Sequence, residues 1–201
     1  MNHKTIPVVQ HNFTSKDKLF LDANIWLYLY CPQGSRGHSW VSTYSDVFDR
    51  ILDASSRIYI DVLVVSEFIN TFAKQEYELA KKGLELAKQE RKITEQEYEG
   101  AKLHLRSFKD FRNTPDFELI AEGIAAAVKQ IMKHCSRVES CFTTLETDQL
   151  LVDYESGGFD FNDQMIAEIC KCNEFTLITN DSDFKTQEIP ILTANPSLLT
   201  T

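Results

Sequence analysis

The stretch Lys18-Leu-Phe-Leu-Asp22-Ala-Asn-Ile-Trp26 places an acidic residue directly after a short apolar run. A run of this length that ends in a turn-forming residue is typical of a buried strand in a parallel sheet. In open α/β sheets, ligands bind at the carboxyl ends of the strands, which is where Asp22 would lie. Further carboxylates of a shared site are therefore expected where other strands end or where helices begin.

Three other segments carry acidic residues at comparable places. They are Val64-Val-Ser-Glu67-Phe-Ile-Asn70, Asp160-Phe-Asn-Asp163-Gln-Met-Ile-Ala167 and Thr176-Leu-Ile-Thr-Asn-Asp181-Ser-Asp183. Carboxylates gathered at one edge repel one another, so a divalent cation is a physical reason to gather them. The pattern predicts a metal-dependent hydrolase.

Composition restricts the broad class of the protein. The chain has 201 residues, of which 43% are hydrophobic and 25% charged, which is typical of a globular protein with one well-buried core. No apolar run approaches the ~20 residues of a transmembrane helix, and residues 1–10 lack a signal-peptide core. The five cysteines form no Cys-x-x-Cys pair, which favours reduced thiols and a cytoplasmic location without membrane contact.

The net charge of −9 is unevenly distributed along the chain. Segment 74–112 holds ten Lys or Arg residues and eight Asp or Glu residues, whereas the remainder holds eleven and twenty-two. Attraction of RNA phosphates to this segment is one hypothesis, and a solvated helical surface with internal ion pairs is the other. The candidate RNA-binding residues are Lys81, Lys82, Lys88, Arg91 and Lys92.

Hydrophobic periodicity predicts alternating strands and helices. The predicted strands are 18–22, 57–61, 137–142, 175–179 and 189–192. The predicted helices are 23–30, 39–54, a segment from 62, another from 115, 147–154 and 162–172. This alternation indicates an α/β fold, a three-layer α/β/α sandwich with a mainly parallel central sheet.

We expect residues 1–201 to form a single domain, because no linker is evident. Residues 1–17 show no period and are predicted to be a loose N-terminal arm. Segment 74–112 is predicted to be a charged helical insertion, a hairpin broken near Gly83 or between Arg91 and Thr94.

The four motifs, in this order, resemble the PIN-domain nucleases over residues 18 to about 192. The resemblance implies a PIN-like α/β/α fold and an endoribonuclease that uses Mg²⁺ or Mn²⁺ to hydrolyse RNA. Many bacterial members are VapC-type toxins, which implies a cognate antitoxin as a candidate partner beside RNA. The chain is longer than such toxins, and the excess falls between Glu67 and Pro115. A homodimer is a further candidate assembly.

The residue types suggest a role for each candidate. Hard Mg²⁺ or Mn²⁺ prefers oxygen ligands, and Asp22, Asp163 and Asp181 are the first candidates for metal ligation. Glu67 is expected to bind the metal or to orient the attacking water as the fourth catalytic carboxylate. Supporting roles are expected for Asp183 at a second ion or beside the first, Asn24 and Thr179 as hydrogen-bond partners of the carboxylates, and Asp160 as a helix cap.

Each residue also has an ordinary structural interpretation. Asp22, Asp163 and Asp181 could each be a turn or helix-cap residue and Glu67 a solvated helix residue, but four such coincidences in the family's order are improbable. The aromatic residues Trp26 and Tyr28 are expected in the core or an interface more than in base stacking.

Two other functions are compatible with acids at strand ends. A phospho-acceptor receiver domain would use Asp61, but it also needs a lysine after a late strand, which is missing after residues 176–180. A catalytically idle PIN-like domain could bind RNA or protein through segment 74–112. The intact set of acids argues against it, because a scaffold does not need clustered carboxylates.

Overall fold

The computed structural model describes residues 5–32, 40–155, 157 and 160–200. The first four residues of the predicted N-terminal arm lie outside the described residues. Within the described part, no helix is long and apolar enough to cross a membrane.

Six strands form one sheet in which every neighbouring pair is parallel. The strands are β1 (Thr5–Pro7), β2 (Lys18–Leu21), β3 (Arg57–Ile60), β4 (Cys135–Arg137), β5 (Thr176–Ile178) and β6 (Ile191–Thr193). Their order in the sheet is β1-β6-β5-β2-β3-β4. Parallel neighbours require crossover connections, which place helices on the faces of a sheet. The predicted α/β/α fold with a mainly parallel sheet is confirmed.

The strand order creates a switch point at the middle of the sheet. The chain leaves β2 toward β3 on one side, whereas β5 pairs with β2 on the other. Ligands of open parallel sheets bind at such a point, beside the carboxyl ends of the strands. Here those ends are Leu21 and Ile178, so the residues that follow them, Asp22 and Thr179, lie side by side.

Nine α-helices occur in the described residues. They are α1 (Ala23–Tyr30), α2 (Trp40–Asp53), α3 (Val62–Gln89), α4 (Glu95–His104), α5 (Phe108–Phe111), α6 (Pro115–His134), α7 (Thr147–Glu155), α8 (Phe161–Asn173) and α9 (Pro196–Leu199). The core contains Leu19, Phe20 and Leu21 of β2. All three are buried, and because successive residues of a strand point to opposite faces, both faces of the sheet are covered here. Such continuous apolar strands are what parallel sheets require.

The prediction of a loose arm over residues 1–17 is wrong for its described part. Residues Thr5–Pro7 form β1, which pairs with β6, and a 3-10 turn follows at Val8–Gln10. Val8 and Phe13 are buried, and the guanidinium of Arg50 donates hydrogen bonds to the carbonyls of Val9 and His11. Three residues are too few to show a strand period, so the pairing could not be recognised locally.

The predicted strand at 137–142 is displaced. Strand β4 covers Cys135–Arg137, and Cys141–Thr144 is a 3-10 turn. The strand starts directly where α6 ends, and the register Ile58↔Cys135 places it beside β3. The polar residues of this edge strand show no apolar alternation, which explains the shift.

The described chain divides into two compact units, residues 1–68 with 131–201, and residues 69–130. The first unit contains the sheet. The second contains the charged segment predicted as an insertion, in which α3 continues through Gly83 to Gln89 and α4 starts after Thr94. Thr94 and Glu97 form a capping box, which accounts for the break between the two helices. That 1–201 behaves as a single domain stays a prediction.

Candidate active site

Asp22 directly follows strand β2 and is the N-cap of helix α1. Its backbone N–H donates to the carbonyl of Ile178 on β5, and its side chain caps α1 by accepting from the N–H of Ala23 at 2.6 Å. The residue is only 4% exposed. A cap explains why the chain turns here. It does not explain the donors gathered at the second carboxylate oxygen.

Asn24 and Thr179 hold that second oxygen of Asp22. The hydroxyl of Thr179 donates to Oδ2 of Asp22 at 2.7 Å, and the amide of Asn24 donates to the same oxygen. The Thr179 hydroxyl in turn accepts from the Asn24 amide at 3.1 Å and from the backbone N–H of Asp181 at 3.0 Å. One hydroxyl therefore uses its donor and both acceptor sites to link the two acidic positions.

Glu67 on α3 and Asp163 on α8 are half-buried in the same unit. No described residue donates a hydrogen bond to either carboxylate. Asp163 stands in the first turn of α8, where the helix dipole favours an anion. Two half-buried carboxylates without a donor are costly unless they are protonated or bind a cation.

Three further acids stand at the starts of helical turns. Asp181 caps the 3-10 turn at Ser182–Thr186, and its Oδ1 accepts from the N–H of Asp183 at 3.0 Å. Asp160 caps α8 by accepting from the N–H of Asn162, as its position in the sequence indicated. Asp183 is exposed and does not contribute to the raised pKa of any other carboxylate.

The electrostatics show that five carboxylates interact. The pKa of Asp22 is raised to about 7, chiefly by burial and also by the charges of Glu67 and Asp181, against the lowering effect of the hydrogen bonds from Thr179 and Ala23. Burial likewise raises the pKa of Asp163 to about 8, with contributions from Asp22, Asp181, Asp160 and Glu67, in that order. The pKa of Glu67 is raised by burial, then by Asp160 and Asp181.

These side chains fit a hard divalent cation by the chemistry of their donor atoms. Four oxygen-donor groups lie near one sheet edge, and Asp163 and Glu67 lack a hydrogen-bond donor. Within the described ranges, however, no three His, Cys, Asp or Glu side chains are close enough to hold a metal ion as they stand. The carboxylates repel one another, so ligation would require side-chain rotations toward a shared cation.

The acidic residues adjoin a network of two tyrosines that the sequence pattern did not indicate as functional. The hydroxyl of buried Tyr44 lies 3.0 Å from Oδ1 of Asn180, and the Asn180 amide donates to the hydroxyl of Tyr28. The rings of Tyr28 and Tyr44 stack with centroids 5.7 Å apart. The charges of Asp181 and Asp22 contribute to the raised pKa of half-buried Tyr28. Only the strand order brings Tyr44 to this edge, so no local signal could have identified it.

Asp61, the acceptor of the receiver hypothesis, is buried with 2% exposure. One of its carboxylate oxygens accepts from the N–H groups of Leu63 and Val64, which makes it the cap of α3. A phospho-acceptor needs access to a phosphoryl donor, so the structure disfavours a receiver function.

The candidate RNA-binding residues all lie in the second compact unit. Three of them already pair with acids: Lys81 with Glu78 at 3.5 Å, Lys88 with Glu95 at 3.0 Å and Lys92 with Glu90 at 2.6 Å. In the described part of the chain, Lys82 and Arg91 have no carboxylate partner. The cations available to a phosphate backbone are therefore fewer than the sequence suggested.

Comparison with known proteins assigns the family. The model of the PIN domain matches residues 19–189. The solved structures that resemble the chain include the VapBC2 complex from Rickettsia felis bound to a DNA fragment from its promoter. This match has 16% sequence identity, covers 88% of this chain and 98% of that chain, and has a TM-score of 0.49. No curated protein matches.

The family match covers most of the chain and all of the carboxylates described above, so the chain belongs to the PIN domain family. PIN domains are generally nucleases, which makes nuclease the class of activity at the level of the family.

Proposed function

We propose that this protein is an endoribonuclease that depends on Mg²⁺ or Mn²⁺ and cuts RNA at the carboxylates around Asp22. The observation that carries the proposal is the gathering of Asp22, Asp181 and Asp163 at the switch point of a parallel sheet, where Thr179 links Asp22 to the backbone of Asp181. Burial and mutual repulsion raise the pKa of Asp22 and Asp163 there. Strong pKa shifts caused by burial and by like charges are typical of functional sites.

Asp22, Asp163 and Asp181 would hold the cation, and Glu67 would bind it or orient the attacking water. When bound, the ion would polarise a phosphoryl oxygen and lower the pKa of a coordinated water. Thr179 and Asn24 keep Asp22 in one orientation through two hydrogen bonds to the same oxygen. Such outer hydrogen bonds preserve the geometry that in-line attack requires.

The proposal is tested by RNA cleavage with and without added Mn²⁺, comparing wild type with Asp163→Asn. The wild-type protein should cleave only with metal, and the variant should lose at least about 100-fold in rate, as expected when one metal ligand is lost. The matched control is Glu168→Gln, which removes an acid on the same helix whose carboxylate pairs with Lys171 at 2.6 Å. Metal-independent cleavage, or near-wild-type activity of Asp163→Asn, would refute the proposal.

The proposal also includes RNA as the substrate and a cognate antitoxin as a partner. The family supports both, whereas a homodimer and a cytoplasmic location stay predictions without an observation of their own. A catalytically idle domain would leave the RNA uncut both with and without Mn²⁺.

A further inference from the structure

Tyr44 on α2 joins the ends of two strands through one hydroxyl. The hydroxyl accepts from the backbone N–H of Ala194, after β6, at 3.0 Å. It can donate to Oδ1 of Asn180 at 3.0 Å or to the carbonyl of Thr179 at 3.3 Å, both after β5. A phenol has a single proton, so it donates to one of these two groups at a time.

The turn after β5 that Tyr44 contacts is the turn that orients two of the acids. The side chain of Thr179 donates to Asp22 and accepts from the N–H of Asp181. The backbone of Asn180 is tied on both sides, because its N–H donates to Oδ1 of Asn24 at 3.3 Å and its carbonyl accepts from the Asn195 amide at 2.8 Å. Movement of this turn would change the distance between Asp22 and Asp181.

Packing alone does not require a hydroxyl at this position. The ring of Tyr44 is fully buried, and phenylalanine would fill the same volume. A buried hydroxyl is tolerated only when it is hydrogen-bonded, and here every partner belongs to the carboxyl edge of the sheet. Burial raises the pKa of Tyr44 to about 12, so the phenol stays protonated and able to donate.

We propose that Tyr44 is a positioning residue of the active site, whose hydroxyl fixes the turn at Thr179–Asn180 and thereby the placement of Asp22 and Asp181. The inference rests on the proposed function, since it assigns Tyr44 a role in holding the proposed metal ligands. Tyr44 is buried and does not contact the substrate.

The test measures Mn²⁺ binding by calorimetry and RNA cleavage for wild type and Tyr44→Phe. The variant should bind Mn²⁺ about tenfold more weakly, the smaller effect expected of an outer hydrogen-bond partner. Its kcat should fall while KM for RNA stays close to wild type, because no substrate contact is lost.

Tyr77→Phe is the matched control. Tyr77 is buried as well, and its hydroxyl donates to the carbonyl of Leu105 at 2.9 Å within the second compact unit. The two variants lose the same chemical group and should both melt below wild type. Tyr77→Phe should keep wild-type Mn²⁺ affinity, so a general loss of stability is separated from a loss of positioning.

A double-mutant cycle tests whether Tyr44 acts through the turn. Thr179→Val removes the hydroxyl that bridges Asp22 and Asp181 while keeping the size of the side chain. If Tyr44 acts through this residue, adding Tyr44→Phe to Thr179→Val should weaken Mn²⁺ binding by much less than tenfold. If the losses of Mn²⁺ affinity in the two single variants simply add in the double variant, Tyr44 does not act through Thr179. Circular dichroism and a cooperative melting curve establish that Tyr44→Phe is folded, as expected because phenylalanine keeps the buried ring and its stacking on Tyr28.

The outcomes separate the two proposals. A wild-type protein that binds no Mn²⁺ would refute the proposed function and this inference with it. Wild-type Mn²⁺ affinity in Tyr44→Phe would overturn the role of Tyr44 while the proposed function stands.

Discussion

At the scale of single residues, Asp22 shows two opposing effects on one carboxylate. Donors from Thr179, Asn24 and Ala23 stabilise the charged form, whereas burial and two neighbouring acids destabilise it. Burial prevails, because the pKa lies near 7 rather than near 3.8. The hydrogen bonds therefore orient the carboxylate more than they stabilise its charge.

The raised pKa values predict how the metal-free protein responds to pH. Below about pH 4, Asp22 and Asp163 are protonated in both states and cost nothing. Between about pH 4 and pH 8 the unfolded chain ionises first, so the free energy of unfolding should fall as pH rises. For Asp22 alone the full loss is on the order of 4 kcal/mol. Urea unfolding in the presence of a chelator at about pH 5 and about pH 8 measures the larger part of this loss. An equal free energy of unfolding at the two pH values would contradict the raised pKa values.

Asp163→Asn should raise the melting temperature of the metal-free protein near pH 8. The carboxylate of Asp163 is half-buried, receives no hydrogen bond from a described residue and is repelled by four acids, and together these effects outweigh the favourable helix dipole at the start of α8. The same gain is not expected for Asp22→Asn, because an amide nitrogen would face the Thr179 or Ala23 donor. Calorimetric melting of both variants checks this contrast, and a lower melting temperature for Asp163→Asn would count against the repulsion.

At the scale of secondary-structure elements, helices α3 and α4 carry the charged segment as a surface with internal ion pairs. Exposed pairs contribute little stability, typically below about 1 kcal/mol. They do, however, occupy Lys81, Lys88 and Lys92. Among the five candidate RNA-binding residues, Lys82 and Arg91 are the two that have no acid partner in the described part of the chain.

If this segment guides RNA, Lys82→Glu with Arg91→Glu should weaken RNA binding more than reversing any two of the paired lysines Lys81, Lys88 and Lys92. The salt dependence should flatten by ~0.7 for each lost phosphate contact with a single strand. Filter binding across a salt series measures both effects. The control variant, Lys16→Glu with Lys129→Glu, has the same change in net charge outside this segment and should bind RNA nearly as well as wild type. Neither double variant should change the affinity for Mn²⁺. Unchanged RNA affinity with an altered mass in light scattering would assign the segment to protein contacts instead.

At the scale of the whole molecule, the chain has two compact units and one family match that spans all of the second unit and most of the first. All of the carboxylates that interact belong to the unit of residues 1–68 and 131–201. A single domain, as predicted, would unfold in one cooperative transition.

Metal should stabilise the folded chain, because the repulsion at the site belongs to the native state. At a concentration 100 times the dissociation constant, the gain is about 2.7 kcal/mol, which should appear as a higher melting temperature with Mn²⁺. Asp163→Asn should gain much less than wild type, whereas Glu168→Gln should gain equally. A wild-type melting curve that Mn²⁺ leaves unmoved would argue against a metal site at this edge.

The sequence by itself determined the parallel α/β fold and the order of the four motifs, because apolar runs ending in Asp and helical spacing are local signals. Strand β1 and the bounds of β4 could not be predicted from the sequence, since both are short edge strands whose pairing depends on distant partners. Only the tertiary structure decided that Tyr44 and Asn195 meet the turn after β5, and that burial and mutual repulsion set the pKa of Asp163. Such contacts join residues more than a hundred positions apart in the case of Tyr44 and Ala194, and no local pattern encodes them.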